Sequence, residues 1–169
     1  MSSMPMILEG AIAAVIKMAS GVAELPRLRL SHSVNTDPAW SEEEDRVLPV
    51  VTITASEPEA EPSNDTLTCL VEIEVRTHTA DDQSQKIVSG TFNAIRIALD
   101  SLYAQMRHGI EQGEALHVFT EYLTNHIDPE AASINIGGLG FEDSAPLMLE
   151  DETYVRRVTV SVYYSRSDW

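Results

Sequence analysis

Glu114 and His117 have the spacing of metal ligands, and Glu121 lies about two helical turns beyond Glu114. Carboxylate-bridged di-metal sites in helical bundles use such a Glu-x-x-His pair, but they need a second pair on another helix. The sequence contains no second pair, and its five histidines have neither tight metal-ligand spacing nor a cysteine companion. We therefore expect a solvated helix face here, and neither a metal nor another cofactor.

A glycine-rich run, Gly137-Gly138-Leu139-Gly140, follows a predicted strand, as phosphate-binding loops do. It matches neither G-x-G-x-x-G nor G-x-x-x-x-G-K-[ST], and the acids Glu142 and Asp143 after it would repel phosphate. The run therefore predicts a glycine-rich turn at the end of a sheet. Cys69 is the only cysteine and lies in a predicted strand, and no G-x-S-x-G motif occurs. No catalytic constellation is present, so we do not expect an enzyme.

Charge is the strongest compositional signal. Twenty-seven acidic residues against eleven Lys and Arg give a net charge of −16. This charge opposes nonspecific attachment to nucleic acid, because phosphate binding depends on cationic contacts. Three interpretations of the negative charge stay open. It can serve solubility alone, it can attract a basic partner, or it can form a surface that DNA passes without binding. The candidate interaction or lumen residues are Trp40, Glu42, Glu43, Glu44, Asp45, Glu142, Asp143 and Trp169.

A strand followed by a long helix would position these residues. Apolar and polar residues alternate from Leu67 to Thr77, which predicts a strand with one buried face. Beyond Asp81 and Asp82, either of which can cap a helix, the period changes. Apolar residues then recur at steps of three and four, which predicts one long amphipathic helix up to Gly109. Its stripe consists of Val88, Phe92, Ile95, Leu99, Leu102 and Met106.

The other elements complete an α+β domain. A first helix is predicted from Pro5 onward and a second, shorter one from Gly113 to Ile127. Pro49 places its β-rich segment at a strand start or on a sheet edge, because proline cannot donate a ladder hydrogen bond. Further predictions are a short strand at 27–30, a mobile acidic tip at 56–65, an acidic loop at 142–151 and a closing strand at 155–164. The last strand can pair with 67–77 through Glu72 or Glu74 against Arg156 or Arg157.

We expect one α+β domain over residues 1–169. Residues 1–46 form an N-terminal helix with a polar acidic connection, and residues 47–169 form the sheet-and-helix core. The sheet is expected to be mainly antiparallel, with the long helix packed across one face. No apolar run reaches the roughly 20 residues that span a bilayer, so no membrane contact is expected.

This arrangement resembles the tail terminator and tail-completion (neck) proteins of long-tailed bacteriophages. The resemblance covers roughly Val47 to the C-terminus and is one of element pattern. The residues that prompt it are Leu48-Pro49-Val50-Val51-Thr52-Ile53, the strand 67–77 leading through Asp81-Asp82 into the helix to Met106, and the pair Ile134–Leu139 and Tyr154–Tyr164.

The resemblance implies a structural virion protein at the tail and neck, assembled in the host cytoplasm. Such subunits form a homo-oligomeric ring, commonly a hexamer, at the head-proximal end of the tail tube. The ring ends tube polymerisation and offers a docking surface to the head-completion or connector protein, while DNA passes through the lumen without specific binding. The alternatives are another neck or tail adaptor, a monomeric acidic α+β binding module, and a small enzyme with an unrecognised site.

Overall fold

The computed structural model describes residues 4–19, 27–32, 50–56, 59–60, 66–108, 113–126, 134–144 and 146–166. Three helices and seven strands occur in these ranges, and together they form the expected α+β fold. In chain order they are α1 (Met4–Ala19), β1 (Arg27–Leu30), β2 (Val50–Ala55), β3 (Glu59–Ala60), β4 (Thr66–His78), α2 (Lys86–His108), α3 (Glu114–His126), β5 (Ile134–Ser144), β6 (Met148–Glu150) and β7 (Thr153–Arg166).

The sheet is built around the antiparallel pair β4 and β7. These strands pair without interruption from Thr66 opposite Ser165 to His78 opposite Thr153. The order across the sheet is β1-β2-β4-β7-β5, with β3 beside β4 and β6 beside β7. Only β1 and β2 run parallel among the described pairs, so the sheet is mixed but mainly antiparallel.

Alternation along the strands separates two faces. The buried face of β4 and β7 carries apolar side chains, including Val71, Ile73, Val158 and Val160, because successive residues of a strand point to opposite sides. Helices α1 and α2 cover this face, α1 over β1, β2 and β4, and α2 over β4, β5 and β7. The predicted stripe of α2 is confirmed, and five of its residues are buried: Val88, Phe92, Ile95, Leu99 and Leu102.

Helix α3 packs on α1 and α2 through Ala115, Phe119 and Leu123. Its approach to α1 depends on Gly10, since a Cβ there would lie 1.9 Å from the hydroxyl oxygen of Tyr122. The contact between α3 and α1 therefore requires the absence of a side chain at residue 10. Burial also raises the pKa of the Tyr122 hydroxyl above its usual value of 10.0.

Asp82, one of the two residues predicted as a cap, caps the N-terminus of the long helix α2. Its carboxylate accepts hydrogen bonds from the backbone N–H groups of Ile87 and Val88, each at 2.9 Å, and from the Thr77 hydroxyl at 2.9 Å. Burial opposes ionisation of Asp82, but these hydrogen bonds outweigh it and lower its pKa below the usual 3.8. The cap therefore joins the end of β4 to the first turn of α2.

Two sequence expectations about the C-terminal half are wrong. The glycine-rich run is not a turn, because it lies inside β5, where Gly138 pairs with Tyr163 and Gly140 with Ser161. A Cβ at Gly140 would lie 2.9 Å from the Ser161 hydroxyl oxygen, so the missing side chain leaves room for Ser161 of the neighbouring strand. The predicted acidic loop at 142–151 is instead the end of β5 followed by β6.

The predictions for the region of β2 are also partly wrong. Pro49 lies outside the described residues, and β2 begins directly after it, as a strand-start proline requires. The edge position is wrong, because β2 pairs with β1 on one side and β4 on the other. Within the predicted acidic tip, Glu59 and Ala60 pair with Thr68 and Leu67 of β4.

Candidate interaction surface

Six of the eight candidate surface residues lie outside the described residues: Trp40, Glu42, Glu43, Glu44, Asp45 and Trp169. The other two, Glu142 and Asp143, lie in β5 and not in the predicted loop. Asp143 pairs with Thr159, next to a register shift that separates it from Phe141. A bulge of this kind interrupts the ladder of a strand and bends it locally.

The sheet face opposite the helices carries a closed cluster of four charged residues, Glu74, Arg76, Glu150 and Arg157. Glu74 accepts a hydrogen bond from Arg157 at 2.7 Å and another from Arg76. Glu150 contacts the same two guanidinium groups, at 3.2 Å and 3.4 Å. The predicted pairing of Glu74 with Arg157 across β4 and β7 is therefore confirmed. Glu72 adds a longer contact with Arg157, at 3.9 Å.

Titration of this charge cluster follows from its hydrogen bonds. Burial of Glu74 opposes its ionisation, but the bonds from Arg76 and Arg157 outweigh burial and hold its pKa below the usual 4.5. The hydrogen bond to Glu74 likewise raises the pKa of Arg157, against the effect of its own burial. The four charges neutralise one another, so this part of the face is polar with little net charge.

Arg156 lies on the other side of the sheet, next to α2. The Cζ atom of its guanidinium lies 4.2 Å from the centroid of the Phe92 ring, a cation–π distance. Its Nε is buried and has no hydrogen-bond partner. No ion pair joins Arg156 to a carboxylate of the described residues, whereas Arg157, its neighbour in β7, contacts three acids. Sequence reasoning considered Arg156 only as a partner of the β4 acids.

The hairpin of β6 and β7 presents exposed apolar side chains. Met148 is 42% exposed and Leu149 is 67% exposed, although both lie in a strand. The two residues of its turn, Asp151 and Glu152, have φ values of 44° and 64°. Positive φ at both central positions is the pattern of a type I′ turn, which favours asparagine and glycine. The backbone N–H of Thr79 donates to the carbonyl of Glu152 at 2.9 Å and holds this tip beside β4.

A buried carboxylate joins the other end of the sheet to α1. Glu9 is fully buried and accepts hydrogen bonds from the backbone N–H of His32 at 2.8 Å and that of Ala55 at 2.7 Å. The His32 ring contacts the same carboxylate through Nδ1. Sequence reasoning missed this contact, although a single acid within an apolar helix was the available signal.

The residues considered for metal binding lie on α3, and the cysteine considered as a nucleophile lies in β4. Glu114, His117 and Glu121 are exposed on α3, and His117 contacts Glu121 at 3.3 Å. Within the described residues, no three His, Cys, Asp or Glu side chains are arranged to hold a metal ion. Cys69 is buried, as expected from its strand face, and its Sγ lies 3.1 Å from the carbonyl oxygen of Ser56. No helix in the described ranges is long and apolar enough to cross a bilayer.

No model of a known protein family matches the chain, and no curated protein matches it in sequence. A functional proposal for this chain therefore rests on its own residues and geometry.

Proposed function

We propose that this chain is a structural subunit that forms a ring at the head-proximal end of a bacteriophage tail tube. The observation that carries the proposal is the element order on one sheet. Strand β4 leads through the Asp82 cap into the long helix α2, and the closing strand β7 returns beside β4 along its whole length. This is the element pattern on which the resemblance to tail terminators is based.

The distribution of surface charge supports the same role. On the sheet face opposite the helices, Arg76 and Arg157 are engaged by Glu74 and Glu150 and are not available to bind phosphate. The whole chain carries a net charge of −16. Such a subunit can line a passage for DNA without retaining it, because attachment to DNA requires unpaired cations.

The proposed partners follow from the ring. Copies of this chain contact one another, commonly as a hexamer, one side of the ring meets the tail tube protein, and the other meets the head-completion or connector protein. The protein would then belong to the virion, in the tail and neck. This role is structural and requires neither a catalytic residue nor a cofactor.

Reconstitution tests the proposal. Native mass spectrometry of the purified chain over a concentration series gives its oligomeric state, and a closed ring is expected. Purified tail tube protein from the same phage is then polymerised with and without the chain, and tube lengths are measured by electron microscopy. Shorter tubes with the chain at one end support the proposal. A monomer at all concentrations, with no effect on tube length, favours the monomeric acidic binding module.

A further inference from the structure

The charge cluster on the sheet face opposite the helices contains two acids that are held differently. Glu74 lies on the central strand β4 with its side chain 14% exposed, and it pairs with Arg76 and, at 2.7 Å, with Arg157. Glu150 lies on the short strand β6 with its side chain 35% exposed, and its contacts with the same arginines are longer, 3.2 Å and 3.4 Å. If Glu150 moves away, both arginines keep Glu74 as a partner. Glu150 is therefore the acid that can be released at the lower cost.

Little apolar burial holds β6 in place. Two of its three residues, Met148 and Leu149, are exposed, so the removal of apolar surface from water contributes little to its attachment. The preceding Leu147 packs against the core and anchors the start of the segment. Among the described strands β6 pairs with β7 alone. We call residues 148–152, which comprise β6 and the two turn residues before β7, the strap.

The turn of the strap is strained. Asp151 and Glu152 have positive φ values, a conformation that is costly for residues with a Cβ, and opening of the strap relieves this cost. Two hydrogen bonds oppose opening besides the ladder of β6. The backbone N–H of Thr79 donates to the carbonyl of Glu152, and the Thr153 hydroxyl donates to the carbonyl of Glu150. Segments with few buried apolar contacts open locally while the rest of a protein stays folded.

We propose that the strap opens from the sheet as one unit, hinged after Leu147, and that the Glu150 carboxylate is the group that holds it closed. In the open state Glu150 leaves Arg76 and Arg157, which stay paired with Glu74. Opening also frees the edge of β7 at residues 153–155, where β6 pairs with it. This inference goes beyond the proposed ring and does not depend on it, because every group involved belongs to a single copy of the chain.

Hydrogen exchange of the full chain, followed by mass spectrometry of its peptides, measures the opening. Relative to their intrinsic rates, the amides of residues 148–155 should exchange at least about tenfold faster than those of residues 69–75 in β4, as in local opening. Glu150→Gln keeps the size of the side chain and removes its charge. This variant should speed exchange at 148–155 by at least about threefold, because two partly exposed ion pairs are lost. Exchange at 69–75 should not change.

Glu72→Gln is the matched control. It removes the same charge from the same face of the sheet, and Glu72 contacts Arg157 at 3.9 Å from its position in β4. Exchange at 148–155 should therefore stay at the wild-type rate. A salt series is the second test, with the wild-type protein and Glu150→Gln compared at about 0.05 M and about 1 M sodium chloride. Since salt screens partly exposed ion pairs, it should speed exchange of the strap in the wild-type protein and not in Glu150→Gln.

Each outcome decides the inference. Exchange at 148–155 that is as slow as at 69–75 overturns it, because the strap then does not open separately. Equal effects of Glu150→Gln and Glu72→Gln also overturn it, because the cluster then stabilises the sheet as a whole. If Glu150→Gln does not fold, the wild-type salt series decides, and an unchanged rate overturns the role of Glu150. A monomeric chain that leaves tube length unchanged overturns the proposed function alone, since exchange of the strap is measured independently of assembly.

Discussion

The carboxylate of Glu9, fully buried in α1, accepts a hydrogen bond from the backbone N–H of His32 at 2.8 Å. The same carboxylate accepts another from Ala55 at the end of β2. One side chain of the first helix therefore satisfies backbone donors at the ends of two neighbouring strands. This contact fixes α1 against the β1 side of the sheet, where the connecting residues 33–49 lie outside the described ranges.

Glu9→Ala should destabilise the fold by roughly 2–5 kcal/mol, because two buried backbone donors lose their acceptor. The free energy of unfolding in urea measures the effect. Glu9→Gln keeps one carbonyl oxygen as an acceptor and should cost less. Lys17→Ala, at an exposed position of the same helix, is the control. An unchanged urea midpoint for Glu9→Ala would contradict the role of this carboxylate.

Core truncations in α2 should be costly. Phe92→Ala or Leu99→Ala removes a side chain that lies between the helix and the sheet, and each should lower the free energy of unfolding by roughly 2–5 kcal/mol. Ile97→Ala, on the exposed side of the same helix, should change it by less than about 0.5 kcal/mol. Denaturant titration of the three variants compares them. Equal costs at Leu99 and Ile97 would mean that the buried stripe is misplaced.

Asp82 should make stability fall in acid. Its pKa is lowered in the folded chain, so it contributes stability at pH values above its unfolded value near 3.8, and this contribution is lost as the pH falls through the lower folded value. Asp82→Asn removes this dependence. The measurement is the urea midpoint of the wild-type protein and of Asp82→Asn between about pH 2 and about pH 6, a range that includes the unfolded pKa. The two midpoints should differ most at the upper end of this range and converge at its acidic end. A constant difference across the range would argue against the lowered pKa.

Glu152→Gly should stabilise the β6–β7 hairpin. Glu152 has a φ of 64°, a conformation that costs residues with a Cβ on the order of 1 kcal/mol and costs glycine little. An increase of roughly 0.5–1 kcal/mol in the free energy of unfolding is expected. Glu152→Ala is the control, because it removes the contact with His78 at 3.8 Å without relieving the backbone. If alanine stabilises as much as glycine, backbone strain is not the cause.

Local periodicity in the sequence by itself determined much of the fold. The alternation from Leu67 to Thr77 and the three-and-four spacing from Val88 to Leu102 predict β4 and α2 correctly, because both patterns reflect which side of one element is buried. The buried position of Cys69 and the capping by Asp82 followed from the same local logic. The pairing of Glu74 with Arg157 could be predicted because two alternating strands of similar length restrict the register in which they pair.

Only the tertiary structure decided the features that depend on distant residues. The glycine-rich run lies in a strand because it pairs with β7 over a long ladder. The backbone groups that donate to Glu9 lie 23 and 46 positions away from it along the chain. Arg156 contacts Phe92 across the packing of α2 on the sheet. A sequence pattern records the environment of one element, whereas these contacts depend on how elements far apart in the chain are brought together. For this reason the scaffold was visible in the sequence, and the contacts of Glu9 and Arg156 were not.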